Sequence, residues 1–360
     1  MTDPFNRNGD ALPLYPIHPD NLELWLENAP GNQGKWVEAS GFRAQPAELC
    51  SLPDSNGGLH GYLFGMQTEG WLYQLAGLPE KLPPGEYYLH SDWTPEQRVQ
   101  ASLGWGLACY RFELYCKSDK QLPTLFLDED IAGQAERLLA AQSLVRDLVN
   151  TPTEDMGPTQ LADAMLVEVD RLGASMSVIH GEDLLTENFP AVHAVGRASS
   201  REPRLLKMEW GDKDQPLLVL CGKGVCFDTG GLNLKPAGGM LIMKKDMGGA
   251  AHVMALARLI IEEKLPVHLQ VVIPAVENSV SGNAYRPGDV ISTRKGLTVE
   301  IGNTDAEGRV VLADALAYAC EQEPDLVMDF ATLTGAARIA PVSYTHLTLP
   351  TIVRECRSRG

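Results

Sequence analysis

Residues 303–316 read "NTDAEGRVVLADAL" and place Asp305, Glu307 and Arg309 at alternate positions before an apolar, helix-periodic run. Alone, the stretch reads as a capped helix start. Asp305 is then the N-cap, Glu307 complements the helix dipole, and Arg309 is a solvated surface charge. A second chemistry-bearing segment follows the apolar strand "PLLVLCG". The run "KGVCFDTGGLNLKPAGGMLIMKKDMGGAA" carries Lys223, Asp228, Lys235 and Asp246. Eight glycines between Gly222 and Gly249 let backbone approach a bound group closely. The GxxxxGK[ST] order of a phosphate-binding loop is absent. Four carboxylates gathered from separate loops would repel and raise one another's pKa values. Two divalent cations remove that conflict, because carboxylate oxygens bind them readily and hold them about 3–4 Å apart. The chemistry expected is that of a site holding two divalent cations.

The elements that must position these residues alternate along the chain. Helical spacing runs through "PEQRVQASLGWGLACYRFELY" (95–115), whose end is expected to lead into a strand. Residues 130–149, "DIAGQAERLLAAQSLVRDLV", form an amphipathic helix that connects two domains. Beyond it, helices at "TQLADAMLVEVDRLG", "GGAAHVMALARLIIEE" and "GRVVLADALAYACEQE" alternate with strands at "SMSVIHG", "PLLVLCG", "VHLQVVIPAVE" and "DLVMDFATLTG". Such alternation predicts an α/β chain with a largely parallel, mixed sheet flanked by helices. Ligand sites in such sheets gather beyond the carboxyl ends of the strands, where the acidic residues fall. The expected division is a smaller N-terminal α/β domain (1–129), the connecting helix (130–149), a catalytic domain (150–341) and a tail (342–360).

Composition narrows the function classes. Apolar residues at 44% and charged residues at 21% are those of a globular chain. A net charge of -17 disfavours nucleic acid and anionic membrane as partners. The polar start "MTDPFNRNGD" carries no secretory pattern, and runs such as "VMALARLII" are too short to span a bilayer. Seven scattered cysteines (Cys50, Cys109, Cys116, Cys221, Cys226, Cys320, Cys356) read as mostly buried thiols of a reducing compartment. Cys221 and Cys226 lack partners at zinc-site spacing, and no HExxH is present.

Together these segments resemble the leucyl aminopeptidase (cytosol aminopeptidase, M17) family. The resemblance is carried by "NTDAEGRVVLADAL", "GKGVCFDTGG", "MKKDMGGAA", "ENSVSGNAYRPGDV" and "DFATLTGAAR", in that family's order. It implies hydrolysis of the first peptide bond, with Leu-like residues preferred at the substrate N-terminus. It also implies two metal ions, manganese or zinc, held by Lys223, Asp228, Asp246, Asp305 and Glu307, with the Asp305 carbonyl contributing. Lys223 would bind as a neutral amine. Lys235 resembles the catalytic lysine that polarises the carbonyl, and Arg309 the arginine that holds a bicarbonate acting as general base. Met243, Thr332 and Gly335 match the apolar side-chain pocket, while Lys244 and Lys245 read as solvated loop charges. The family further implies peptide substrates, a homohexamer and a cytoplasmic location.

The resemblance stops near Ala340. "PVSYTHLTLPTIVRECRSRG" has neither family nor helical periodicity and looks like read-through of foreign DNA. The catalytic domain is therefore expected to be incomplete at its C-terminal side. The tail is expected to pack poorly and expose Cys356, and the neighbouring sheet to show an uncovered apolar face. The alternative to an aminopeptidase is an inactive truncated fragment or a non-catalytic binding subunit.

Overall fold

The computed structural model describes residues 3–7 and 11–335. The tail, Cys356 and the break in pattern after Ala340 lie outside the described residues.

The N-terminal unit is a six-stranded sheet in the order β1-β6-β5-β2-β4-β3. Its strands are β1 (Phe5–Asn6), β2 (Leu12–Ile17), β3 (Leu49–Pro53), β4 (Leu59–Gly65), β5 (Glu86–Leu89) and β6 (Thr124–Phe126). Helices α1 (Leu22–Asn28) and α2 (Gln33–Ser40) contribute to one small core around Val37, Phe42 and Leu63. Helix α3 (Pro95–Cys109) and the first turns of α4 (Glu129–Asn150) build a larger one around Trp105, Tyr87 and Leu125. The α3 start is specified locally: the Thr94 side chain accepts from Gln97 N, Gln97 answers on the Thr94 backbone, and Pro95 opens the helix. The strand expected after this helix does not form. Residues 110–123 are irregular, and the next strand is β6.

The catalytic unit comprises α5 (Pro158–Leu172), β7 (Ser175–His180), α6 (Asp183–Thr186), α7 (Pro190–Gly196), β8 (Arg204–Trp210), β9 (Leu217–Gly222) and β10 (Gly224–Asp228). Then follow α8 (Ala237–Met240), α9 (Gly248–Glu262), β11 (His268–Asn278), β12 (Val290–Ser292), β13 (Thr298–Glu300), α10 (Glu307–Glu321) and β14 (Leu326–Phe330). The main sheet runs β14-β9-β11-β8-β7, with β10 also paired to β11. β9, β10, β11 and β14 are mutually parallel. β8 runs antiparallel to both β11 and β7, so the sheet is mixed as expected, through a strand the sequence reading did not assign.

β11 is the spine. Nine of its eleven residues are buried, because both faces are covered. On one side α4, α5 and α9 pack with Met165, Met254 and Val271; on the other α7 and α10 pack with Val192, Val272 and Val311. Among the described residues β14 is the outer strand of the parallel side, and its Val327, Met328 and Phe330 are only partly buried. No helix among them is long and apolar enough to cross a membrane.

Candidate metal centre

The chain steps from β9 to β10 at a single residue, Lys223. Both strands pair with β11, β9 along His268–Val272 and β10 along Ala275–Asn278. The break leaves Lys223 facing the carboxyl ends of the parallel strands. Its backbone is held by its own amide donating to Phe330 O at 2.9 Å and by Ala250 N donating to Lys223 O at 2.9 Å. Gly249 permits this approach, since a Cβ there would fall onto the Phe330 carbonyl oxygen. Asp228 ends β10. Asp246 sits in a 3-10 turn (Met243–Met247) that runs directly into α9. Asp305 lies in a second turn (Thr304–Ala306), and Glu307 opens α10. Asp305 does not cap α10, whose N-cap position is Ala306 with no side-chain cap; the turn that carries Asp305 is itself capped by Asn303, whose side chain accepts from Asp305 N at 2.8 Å. That arrangement frees the Asp305 carboxylate.

The side chains converge as two interleaved sets. Lys223 Nζ lies 2.7 Å from Asp246 Oδ2 and 2.9 Å from Glu307 Oε1, and donates to Thr332 O at 3.4 Å. Lys235 Nζ lies 2.9 Å from Asp228 Oδ2 and 2.5 Å from Asp305 Oδ1. Carboxylate oxygens of Asp228, Asp305 and Glu307 fall within 4.8 Å of one another. Lys223, Asp228, Asp246 and Glu307 are each only 2% exposed. Burial pulls the Lys223 ammonium down, but Asp246 and Glu307 more than offset it and hold it above the usual lysine range. Burial likewise opposes the Lys235 charge, and its bonds to Asp305 and Asp228 outweigh that. Burial drives Glu307 up to about 7; Lys223 opposes the rise, while Asp228 and Asp246 add to it. Asp305 is also raised, by burial and by Asp228 against the pull of Lys235.

The donor set fits divalent cations. Glu307 Oε2 is buried and has no hydrogen-bond partner among the described residues. Asp246 Oδ2 and Asp305 Oδ1 touch lysines but receive no well-directed hydrogen bond. Buried carboxylate oxygens with unmatched lone pairs are costly unless a cation takes them. Among the described residues no cysteine joins the cluster; burial pushes the Cys221 thiol up to about 12, which makes it inert.

Six expected residues therefore meet in one place: Lys223, Asp228, Lys235, Asp246, Asp305 and Glu307. Arg309 is exposed on α10 and has no hydrogen bond or ion pair among the described residues. Met243 is partly buried at the head of the Asp246 turn, and Gly335 is the exposed end of the described chain. Thr332, expected in the pocket, donates its hydroxyl to Asp246 Oδ1 at 2.8 Å. Lys244 and Lys245 are not free loop charges. Lys244 Nζ donates to Asn150 O, and Lys245 Nζ lies 3.2 Å from Asp246 Oδ1.

Sequence reasoning missed the supports. Asn278, 1% exposed at the end of β11, donates from Nδ2 to Asp228 Oδ1 at 2.8 Å and to Thr304 O at 3.0 Å. Tyr285 donates to Thr304 O at 2.7 Å; burial and the carboxylates of Glu307, Asp228 and Asp305 raise its pKa and keep it a neutral donor. Both residues stand in the quoted "ENSVSGNAYRPGDV" run, the one signal that pointed to them.

Known proteins share this arrangement of segments. The catalytic domain of the cytosol aminopeptidase family matches residues 143–349, and the M17 aminopeptidase N-terminal domain matches residues 12–128. A probable cytosol aminopeptidase of Syntrophotalea carbinolica is 44% identical over 262 residues, covering 68% of this chain and 53% of that protein. A probable cytosol aminopeptidase of Corynebacterium glutamicum is 39% identical over 251 residues, covering 67% and 50%. The chain spans about half the length of the curated relatives it matches. The crystal structure of the Coxiella burnetii cytosol aminopeptidase superposes with a TM-score of 0.89 at 47% identity, over 93% of this chain and 74% of that one. The bottromycin maturation enzyme BotP in complex with Mn superposes at 0.79 with 29% identity, over 92% and 74%. With both domain matches covering these folds and the acidic cluster at the strand ends, the chain belongs to the M17 cytosol aminopeptidase family.

Proposed function

We propose that this chain carries the dimetal centre of an aminopeptidase that removes Leu-like N-terminal residues from peptides. The carrying observation is that Asp228, Asp305 and Glu307 bring carboxylate oxygens within 4.8 Å of one another, with buried Asp246 linked to Glu307 through Lys223 and Glu307 Oε2 unpartnered among the described residues. Two divalent ions would be held by these carboxylates and Lys223; the complex of BotP with Mn favours manganese over zinc. Bound there, they supply Lewis-acid activation of a water and of the scissile carbonyl.

The remaining work falls to the chain's own groups. Lys223, held as an ammonium between Asp246 and Glu307, must release a proton to solvent to offer its lone pair. Lys235, the more exposed of the two lysines, swings its ammonium from Asp305 to the oxyanion as charge develops there. Thr332 fixes the Asp246 rotamer through its hydroxyl. Arg309, exposed two residues beyond Glu307, is available to hold a bicarbonate that takes the proton from the attacking water. Met243, Thr332 and Gly335 line the pocket for the substrate's first side chain. The same reading keeps the division at residues 1–129, 130–149, 150–341 and 342–360, takes a cytosolic location from the relatives' names, and keeps for the whole protein the homohexamer that the family resemblance implies.

The test is hydrolysis of a leucyl anilide by the 360-residue chain with added Mn²⁺. Metal-dependent release that Asp228→Ala abolishes supports the reading. Metal uptake without hydrolysis would favour a non-catalytic binding subunit or inactive fragment instead.

A further inference from the structure

Asp228 and the pair Asp305 and Glu307 sit on segments far apart in sequence, and something must hold those segments in register. After Asp228 the chain makes a tight loop, 229–235. Gly230 and Gly231 take positive φ values of 87° and 63°, and Lys235 N closes the loop on Thr229 O at 2.9 Å. The other carboxylates follow the 303–307 turn. Thr304, with no exposed surface, joins the two.

Every polar atom of Thr304 is bonded, and its hydroxyl and amide cross that junction. Its hydroxyl donates to Gly230 O at 2.6 Å and accepts from Asn233 N at 2.8 Å. A hydroxyl has one hydrogen, and the longer approach to Asn233 Oδ1, 3.1 Å, competes for it only weakly. The Thr304 amide donates to Asn233 Oδ1 at 2.8 Å. The Thr304 carbonyl accepts from Asn278 Nδ2, which also holds Asp228 Oδ1, and from Tyr285 OH. The packing is close: a Cβ on Gly231 would come within 3.0 Å of Thr304 Oγ1. A turn needing only to close itself requires none of these cross-links.

We propose that Thr304 is a positioning residue that locks the 229–235 loop to the 303–307 turn, so that Asp228 faces Asp305 and Glu307 before any cation binds. The proposal rests on the dimetal reading above. The hydroxyl is the essential part, because it alone joins both Gly230 and Asn233. Removing it leaves a buried carbonyl and a loop amide without partners. Losing an outer support of metal ligands typically lowers affinity about 10–100-fold.

Thr304→Val removes the hydroxyl at constant shape, and Thr304→Ser keeps it. Mn²⁺ titration of the 360-residue chain should show affinity about 10–100-fold weaker in Thr304→Val and restored in Thr304→Ser. Hydrogen exchange on the metal-free protein should show the Asn233 amide losing protection in the valine variant and keeping it in the serine variant. Wild-type-like Mn²⁺ affinity in Thr304→Val, or equal losses in both variants, would overturn the proposal. Absence of Mn²⁺ binding by the wild type would sink the dimetal reading instead. Amide exchange alone then decides the clamp, and unchanged Asn233 protection in Thr304→Val refutes it. If Thr304→Val does not fold, Asn233→Ala, at an exposed position, removes the acceptor for Thr304 N. It should weaken Mn²⁺ binding in the same direction, and unchanged binding would count against the clamp.

Discussion

Lys223 and Glu307 meet at 2.9 Å with side chains only 3% and 2% exposed, yet the contact engages one carboxylate oxygen, Oε1. The other, Oε2, is buried and accepts nothing. A pair built only for stability would satisfy both oxygens, because a half-satisfied buried charge costs more than an apolar replacement. The geometry suits the proposed ligand set, in which Lys223 must give up its proton.

That relationship fixes a pH dependence. Glu307 is raised to about 7 by burial and neighbouring carboxylates, against the pull of Lys223, and Lys223 itself is held above the lysine range. Both hold protons that a cation must displace. Manganese affinity should therefore rise with pH, by about tenfold per pH unit for each proton released, and should be weakest below pH 7 where Glu307 is protonated. Titration calorimetry in buffers of different ionisation heat counts the protons directly. A pH-independent affinity would exclude Glu307 and Lys223 as ligands.

Two glycines separate architecture from site. A Cβ at Gly249 would strike the Phe330 carbonyl oxygen and lie 2.8 Å from Lys223 N, so backbone must move. Gly249→Ala should cost about 1–3 kcal/mol of stability, seen as a lower unfolding midpoint. A Cβ at Gly308 would meet Lys223 Cε at 2.6 Å and Nζ at 2.7 Å, the far end of a side chain that can move. Gly308→Ala should leave the midpoint within a few degrees and weaken metal binding. Equal thermal losses in both variants would contradict this division.

Lys235 is expected to act on the reaction more than on the metal. Lys235→Ala should lower kcat by about 10²–10³. Removing its ammonium leaves Asp228 and Asp305 nearer to each other's unscreened charge, which favours cation binding. Steady-state kinetics on a leucyl anilide together with metal analysis reads both effects. Full kcat with depleted metal would reverse the assignment.

The acidic residues were legible because their chemistry shows in residue type: Glu307 lies at a helix start that hydrophobic periodicity marks, and Asp228 stands in the glycine-rich segment that follows the apolar strand "PLLVLCG". β8 was missed although "RLLKMEW" has buried residues at 205, 206 and 208, because Lys207 and Glu209 interrupt the apolar run. β10 was hidden in the glycine-rich segment; "GVCFD" is too short and polar-ended to declare itself. Asn278 and Thr304 stand in quoted segments, but their roles were not legible for a different reason. Those roles exist only through contacts 19 to 74 residues away in sequence, which no local pattern encodes. The Asp305 cap failed because a 3-10 turn, capped by Asn303, intervenes before α10 and leaves Ala306 at the helix's N-cap position.

The central claim is that Asp228, Asp246, Asp305 and Glu307 with Lys223 hold two divalent cations. Its most direct test is Mn²⁺ stoichiometry of the purified 360-residue chain, measured by equilibrium titration with elemental analysis, beside Asp228→Ala and Glu307→Gln. The account predicts two ions per chain in the wild type and a loss of at least one in each variant. One ion or none in the wild type, or unchanged stoichiometry in Asp228→Ala, would contradict it.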